Sequence, residues 1–484
     1  MTYLKQYIKD NGPTLSSELI ELLVSRGKAV SESAARQQLS RLKGDVIRIR
    51  GLFKDRQVLF HDPQIYGSEE YYEGILKALK KSGRQYYVLL KSLNFHYGFI
   101  KHHHLAAYSV NPTKLLKGHL SFDSAITKLQ SLNLIIYNGE YITVSSKIAT
   151  ENVNLTKAKA IEVAKHFLLV QFNDWARKIG IASYNSSSFH SDFASFQFNY
   201  VCPSYVGNLP KISGKKIIPA FIVADILIGN VINKEQVEFM VNKVRSMRFR
   251  NSTVTFIPFL IVDSVDTEAL NYLKAEGIAI GFVNELFGKK YKDLLNSLIN
   301  LVTNAGAILK KNPEAYLDLI LKLNKLVDGK TNNLRGDLFE LAVGYHQAQI
   351  CKSIDIGRIV NFDGQQREID VLGIQETQLI ISECKGYNKP IDVEDIETWL
   401  GKKIPIIRKW LLDQGVWGKR EHIFEFWSTG GFTEEALELL QTRSNKTTKY
   451  EIKYYAMEAI IKKAKNLNSK KFSEILREYY IKEI

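Results

Sequence analysis

Asp370, in Arg367-Glu-Ile-Asp370, and the pair Glu383 and Lys385, in Ser382-Glu-Cys-Lys-Gly386, put two carboxylates and an ammonium within one short stretch. Ile369, Val371 and Leu372 read as one apolar strand, and Leu379, Ile380, Ile381 and Cys384 as a second. The polar run from Gly373 to Thr377 supplies the turn, so the pair reads as a β-hairpin. Side chains alternate faces along a strand, which puts Glu383 with Lys385 and Glu368 with Asp370. Charges in the middle of apolar strands are costly unless something pairs them. Two hard carboxylates beside a lysine suit Mg²⁺ or Mn²⁺ and a water nucleophile.

The hairpin needs an element in front of it. Asn333-Leu-Arg335-Gly336-Asp-Leu-Phe339-Glu340 begins a helix with Asn332 or Asn333 as cap, and Leu338, Leu341 and Ala342 form its core-facing stripe. Glu340 lies beside that stripe, where a carboxylate calls for a ligand. The Arg-Gly-x-x-Phe-Glu helix, the Glu-Ile-Asp strand and the Glu-Cys-Lys-Gly strand, in that order, resemble the PD-(D/E)XK nuclease superfamily, and within it the Mrr-like restriction endonucleases. The resemblance spans residues 331 to 435 or so. It implies that Asp370 and Glu383 hold the metal and that Lys385 orients the attacking water and stabilises charge on the phosphate. It also implies that Glu340 acts as a further metal carboxylate and Glu368 as an accessory one. The superfamily's proline is absent, since Ile369 precedes Asp370.

Downstream, Ile391 to Leu412 reads as a helix with Ile396, Leu400, Ile404, Ile407 and Leu411 on one face. Pro405 kinks or divides it. Lys402, Lys403, Arg408 and Lys409 are expected on its exposed side. The strand His422 to Trp427 follows, and Lys419 and Arg420 before it are candidate phosphate contacts.

Lys and Arg number 66 against 51 Asp and Glu, for a formal charge of +15, which favours a polyanionic partner. The three cysteines, Cys202, Cys351 and Cys384, form no Cys-x-x-Cys pair, which argues against a structural zinc or a disulfide framework. No apolar run approaches bilayer length, so no membrane role and a cytoplasmic location are expected.

Residues 1 to 66 read as three helices and a basic hairpin and resemble a winged helix-turn-helix, with Arg36, Gln37, Ser40 and Arg41 on the face of the third helix that would read DNA. Residues 67 to 147 repeat that plan: Lys128 lies on the candidate recognition helix and Asn138-Gly139 at the wing turn. His102-His103-His104 between them reads as a solvent-exposed basic stretch rather than a metal site.

Residues 150 to 290 run helix, strand, strand, helix, strand, helix, strand, starting from a long helix over 156 to 178. This parallels the carboxy-terminal region. Tyr200-Val-Cys202-Pro203 stands where the first-strand carboxylate belongs, and Asp225 has no lysine two residues on, so the region reads as a degenerate copy of the nuclease fold. Residues 291 to 330 read as a helical connector and 331 to 484 as the nuclease domain. The expected fold class is α/β multidomain: tandem α+β winged helices, a degenerate α/β domain and an α/β/α nuclease. The function this implies is a Mg²⁺- or Mn²⁺-dependent endonuclease acting on double-stranded DNA, with bacterial restriction or phage defence as its setting. A transposase- or recombination-type nuclease subunit of a larger complex is one alternative, and besides DNA the expected partner is a second copy in a homodimer or a partner protein of a defence or transposition system. A DNA-binding regulator with an inactive nuclease fold is another.

Overall fold

The pattern of alternating and 3.6-periodic segments folds into a mixed α/β, multidomain chain with several separate sheets. The computed structural model describes residues 3–42, 46–114, 116, 118–137, 141–149, 153–213, 216–250, 255–327 and 332–480, with the side chains of 213, 216, 326, 327 and 332–334 outside the description. The turn Asn138-Gly139 and the capping side chains of Asn332 and Asn333 therefore lie outside the described residues. Two compact units emerge: Met1–Val153 with Ser183–Leu260 and Ser264–Ile280, and Asn154–Ala182 with Ile261–Asp263 and Gly281–Ile484.

In the first unit, helices Tyr3–Asn11, Ser16–Ser25 and Glu32–Arg41 enclose Leu4, Ile8, Leu19, Leu23, Leu39 and Phe60. Thr14–Leu15, Leu59–His61 and Ile47–Ile49 pair antiparallel beside them. Ser31 caps the third helix by accepting from the Ala34 amide. The next module has helices Glu69–Ser82, Arg84–Phe95 and Phe122–Ser131 and a three-stranded sheet of Phe99–Lys101, Tyr141–Val144 and Ile135–Tyr137. The histidine run differs from expectation. His102 is half-buried, stacks on Tyr137 and lies 3.0 Å from Asp123, so of the three only His103 is exposed. An amphipathic ring with a partner on each side has no reason to face water.

A five-stranded sheet completes this unit, in the order Ala279–Phe282, Phe256–Val262, Ala220–Leu227, Phe196–Ser204, Ser188–Phe193. Helix Lys234–Arg250 follows the central strand. Arg84 binds Glu238 through two guanidinium nitrogens, and Lys80 and Lys91 reach Glu235, which fastens the preceding module to that helix.

The second unit repeats this connectivity. Its sheet runs Ser353–Phe362, Gln365–Ile374, Gln378–Lys385, Glu421–Ser428, Glu451–Tyr455; the first three strands are antiparallel and the last two parallel. The likeness extends to detail. A parallel bridge joins Ile391 to Phe432 here and Ile232 to Val265 there. Thr433 and Asp266 donate their amides to the Ile391 and Ile232 carbonyls and cap the helices that follow. The long helix Leu155–Lys178, read above with the middle domain, belongs to this second unit, and so do helices Lys289–Thr303, Ala305–Lys311 and Pro313–Val327. Its buried residues occur on every side of the cylinder, as in a helix enclosed by others. Ile369, Leu372, Leu379, Ile381, Phe424 and Leu411 belong to one hydrophobic core.

Candidate active site

The antiparallel ladder between the second and third strands runs from Ile374↔Leu379 to Val371↔Ser382. The next step of that register sets Asp370 opposite Glu383. There the carboxylate takes over from the backbone: Asp370 Oδ2 accepts a 2.7 Å hydrogen bond from the Cys384 amide. The motif glycine Gly386 serves the approach of the Asn332–Ile350 helix to this strand end. A Cβ on Gly386 would stand 2.7 Å from the Arg335 carbonyl oxygen and 3.1 Å from the Gly336 Cα, so a side chain here would push the helix away and Glu340 with it.

Glu340, Glu368 and Asp370 each offer a carboxylate oxygen within 4.8 Å of the others, the one such group of potential metal ligands among the described residues. Glu383 adjoins them. Its Oε1 is 2.7 Å from Lys385 Nζ and 2.6 Å from Lys403 Nζ, and Lys403 also reaches Oε2 at 2.9 Å. Lys159 Nζ lies 2.8 Å from Glu340 Oε2 and also bonds Glu368. The structure therefore brings together the sequence-expected residues Asp370, Glu383, Lys385, Glu340 and Glu368.

The electrostatics follow from crowding. Burial, then the Glu383 and Glu340 charges, push Asp370 up to about 8 against the pull of Lys385 and Lys403. Burial raises Glu340 to about 7 although Lys159 opposes it. Burial would raise Glu383 too, but its two lysines outweigh that and hold it at about 2. Glu383 is thus a fixed anion, while Asp370 and Glu340 carry repulsion that a cation would relieve. The donor set is all carboxylate oxygen, which fits a hard divalent ion such as Mg²⁺ or Mn²⁺.

Two of these lysines escaped the sequence reading. Lys403, expected to be exposed, sits instead in a π-helical turn, Trp399–Lys403, between helices Val393–Thr398 and Ile404–Asp413. The extra residue in that turn rotates Lys403 off the solvent side, and Pro405 begins the next helix, where it needs no amide partner. Its signal was its place directly before the apolar Ile404. Lys159 had no local signal, since 181 residues separate it from Glu340. It is admitted by Gly357, which lies opposite Asp370 between the pairs Ile356↔Val371 and Arg358↔Ile369. Gly357 has φ +67°, and a Cβ there would fall 2.3 Å from Lys159 Cδ. A side chain at this position would close the path of the lysine stem.

Other candidates lie elsewhere. Lys419 and Arg420 precede the Glu421 end of their strand. Glu421 pairs with Gln378, whereas Lys385 pairs with Ser428, seven residues on. They sit at the far end of the sheet, roughly 23 Å away at 3.3 Å per residue, and do not join the site. The strand order along the chain hides which end faces the carboxylates. Arg36, Gln37, Ser40 and Arg41 are all exposed on the Glu32–Arg41 helix, and Lys128 is half-buried on its own helix.

The matching strand positions of the middle sheet carry different residues. The pair Ala224↔Tyr200 sets Asp225 opposite Asn199, so Asn199, and not Tyr200 to Pro203, holds the place of Asp370. Its Oδ1 accepts from the Ile226 amide at 3.0 Å, as Asp370 does from Cys384. Asp225 takes the place of Glu383, Leu227 that of Lys385. Lys243, from the following helix, binds Asp225 at 2.6 Å with both side chains fully enclosed. The ammonium also donates to the carbonyls of Ala107 and Gln197, while Tyr108 Oη bonds Asn199 and the Ile226 carbonyl. Burial lowers the Lys243 pKa and Asp225 opposes it. Asp225 is thus paired with a buried ammonium, whereas Asn199 Nδ2 is buried without a hydrogen-bond partner among the described residues.

No known protein-family model matches this chain, and no curated protein does. A solved structure of the restriction endonuclease FokI bound to DNA aligns over 56% of this chain and 60% of that one, at 10% identity and a TM-score of 0.16. A score that low establishes no common fold. Among the described residues no helix is long and apolar enough to cross a membrane.

Proposed function

We propose that this chain is a metal-dependent endonuclease that hydrolyses phosphodiester bonds in double-stranded DNA. The observation that carries the reading is the facing pair Asp370 and Glu383, with Lys385 2.7 Å from Glu383 and two further carboxylates beside Asp370. A structural ion-pair network needs no such surplus of buried carboxylate, and desolvating it is costly unless a cation is expected. The likeness of the motifs to the PD-(D/E)XK superfamily points the same way.

Asp370 and Glu383 would hold the ion, with Glu340 beside them. When bound, a divalent ion supplies Lewis-acid charge to the scissile phosphate. Lys385, tied to Glu383 on one side, has ammonium protons left to orient a water molecule and to stabilise charge on the phosphate oxygens. Lys403 keeps Glu383 ionised and oriented through both carboxylate oxygens. The Cys384 amide fixes the Asp370 carboxylate.

The amino-terminal modules would hold the duplex as winged helices. Support comes from the four exposed polar residues of the Glu32–Arg41 helix and from an adjoining groove of about 910 Å³ in which Arg36, Arg48, Arg50 and Arg56 outnumber Glu21, Glu32 and Asp55. The Arg36–Glu32 pair beside it is solvent-exposed and so is easily exchanged for a phosphate contact. The middle sheet is the degenerate copy, a spacer whose site positions serve packing. Incubation with methylated and unmethylated plasmid in Mg²⁺ or Mn²⁺ tests the activity and any modification dependence together.

A further inference from the structure

Lys159 is the feature of the centre that the nuclease reading leaves without a task. It enters from the helix Leu155–Lys178, far from the motifs, across a strand position where only glycine leaves room. Its ammonium lies between Glu340 and Glu368 and binds both. Asp370, the third carboxylate of that cluster, faces Glu383 on its other side. The cluster thus has two cation positions. One, between Glu340 and Glu368, is filled by Lys159. The other would lie between Asp370 and Glu383, where an ion would share the Glu383 oxygens with Lys385 and Lys403.

We propose that Lys159 is a built-in second cation, so that the centre takes up a single divalent ion, on Asp370 and Glu383, instead of two. The inference rests on the nuclease reading above and adds the metal count to it. Charge balance agrees. The four carboxylates Glu340, Glu368, Asp370 and Glu383 face the three ammonium groups of Lys159, Lys385 and Lys403. With all four ionised, as metal binding requires, one divalent ion turns the surplus negative charge into one positive charge, which matches a single phosphodiester. A second ion would leave three, with no carboxylate to meet them. Two-metal hydrolases use a second ion to clamp the leaving oxygen. Here a lysine with a fixed place supplies that charge without an ion to recruit. A compact ammonium suits the space, since its three donors reach two carboxylates and leave one over.

The experiment counts Mn²⁺ bound per full-length chain, by titration calorimetry and by loss of the free-ion paramagnetic resonance signal, with no nucleic acid present. The parent binds one ion, Lys159→Ala binds two, and Lys159→Arg, which keeps the charge, stays at one. If Lys159→Ala lowers the folded yield, Lys159→Met keeps the stem that crosses Gly357 and reads the same count. Two ions in the parent, or one in both the parent and the uncharged variants, overturns the proposal. Asp370→Asn separates this from the nuclease reading. It abolishes uptake if the centre is the metal site, and uptake unchanged in Asp370→Asn, or absent from the parent, would bring down both.

Discussion

Replacing Lys243 by Met tests whether the middle sheet's counterpart of the active site is a structural clamp. The ammonium has no access to solvent, is 2.6 Å from Asp225, and also satisfies the carbonyls of Ala107 and Gln197. Methionine fills much of the volume but leaves Asp225 as a buried charge that has lost its ammonium and still accepts from the Asn199 amide. Removing one member of a buried pair costs about 3–5 kcal/mol. In a unit of this size each kcal/mol lowers the midpoint by about 2–4 °C, so the first thermal transition of the full chain should fall by roughly 6–20 °C. Asp225→Asn removes the charge and keeps an acceptor for the Asn199 amide. The double variant should therefore recover part of the loss, with a coupling of about 1–3 kcal/mol in the cycle. Circular dichroism melts of the four proteins measure it. A Lys243→Met melt within about 2 °C of the parent, on the same scale, would refute the clamp. So would a folded Lys243→Met protein whose cleavage rate has collapsed as far as that of Asp370→Ala, since it would show a working site in the middle sheet.

The carboxylate centre makes its own predictions. Asp370 and Glu340 are raised in the folded chain, so their share of stability is present below the ordinary carboxylate range and lost as pH rises through about 7 to 8. Metal-free protein should melt lower at pH 8.5 than at pH 6, and Mn²⁺ should stabilise it more at pH 8.5, where those oxygens are free of protons; equal stabilisation at both would contradict the site's electrostatics. Glu383 is depressed to about 2, so its share is present above the ordinary range and lost as pH falls through about 2. Lys403→Met should cost about 1.5–3 kcal/mol and bring that loss to a higher pH, seen in acid-unfolding curves. Arg36→Ala and Arg41→Ala should each weaken duplex binding by up to about 1–3 kcal/mol and flatten its salt dependence, whereas unchanged binding across a salt titration would assign that helix to a protein partner.

The carboxy-terminal site was legible because its motifs are local: strand alternation alone pairs Glu368 with Asp370 and Glu383 with Lys385. The strand Ser353–Phe362 was not. Its apolar alternation, set by Ile354 and Ile356, changes phase at Gly357, and a shifted period looks like a loop. Lys159 and Lys403 gain their meaning from tertiary contacts, one across 181 residues and one through a π-turn that no periodicity signals. Lys419 and Arg420 looked apt by proximity along the chain, but a strand carries its two ends to opposite edges of the sheet. The long helix Leu155–Lys178 was assigned by sequence order to the sheet after it, while its packing lies in the other unit.

The central claim is that Asp370 and Glu383 form a metal-dependent cutting centre. Its most direct measurement is the cleavage rate on supercoiled plasmid for the parent and Asp370→Ala, in Mg²⁺ or Mn²⁺ and in EDTA. The account predicts cutting by the parent with metal alone, and a loss of about three orders of magnitude or more in both EDTA and Asp370→Ala, because the groups act as a unit. Cutting that persists in EDTA, or at the parent rate in Asp370→Ala, would contradict it.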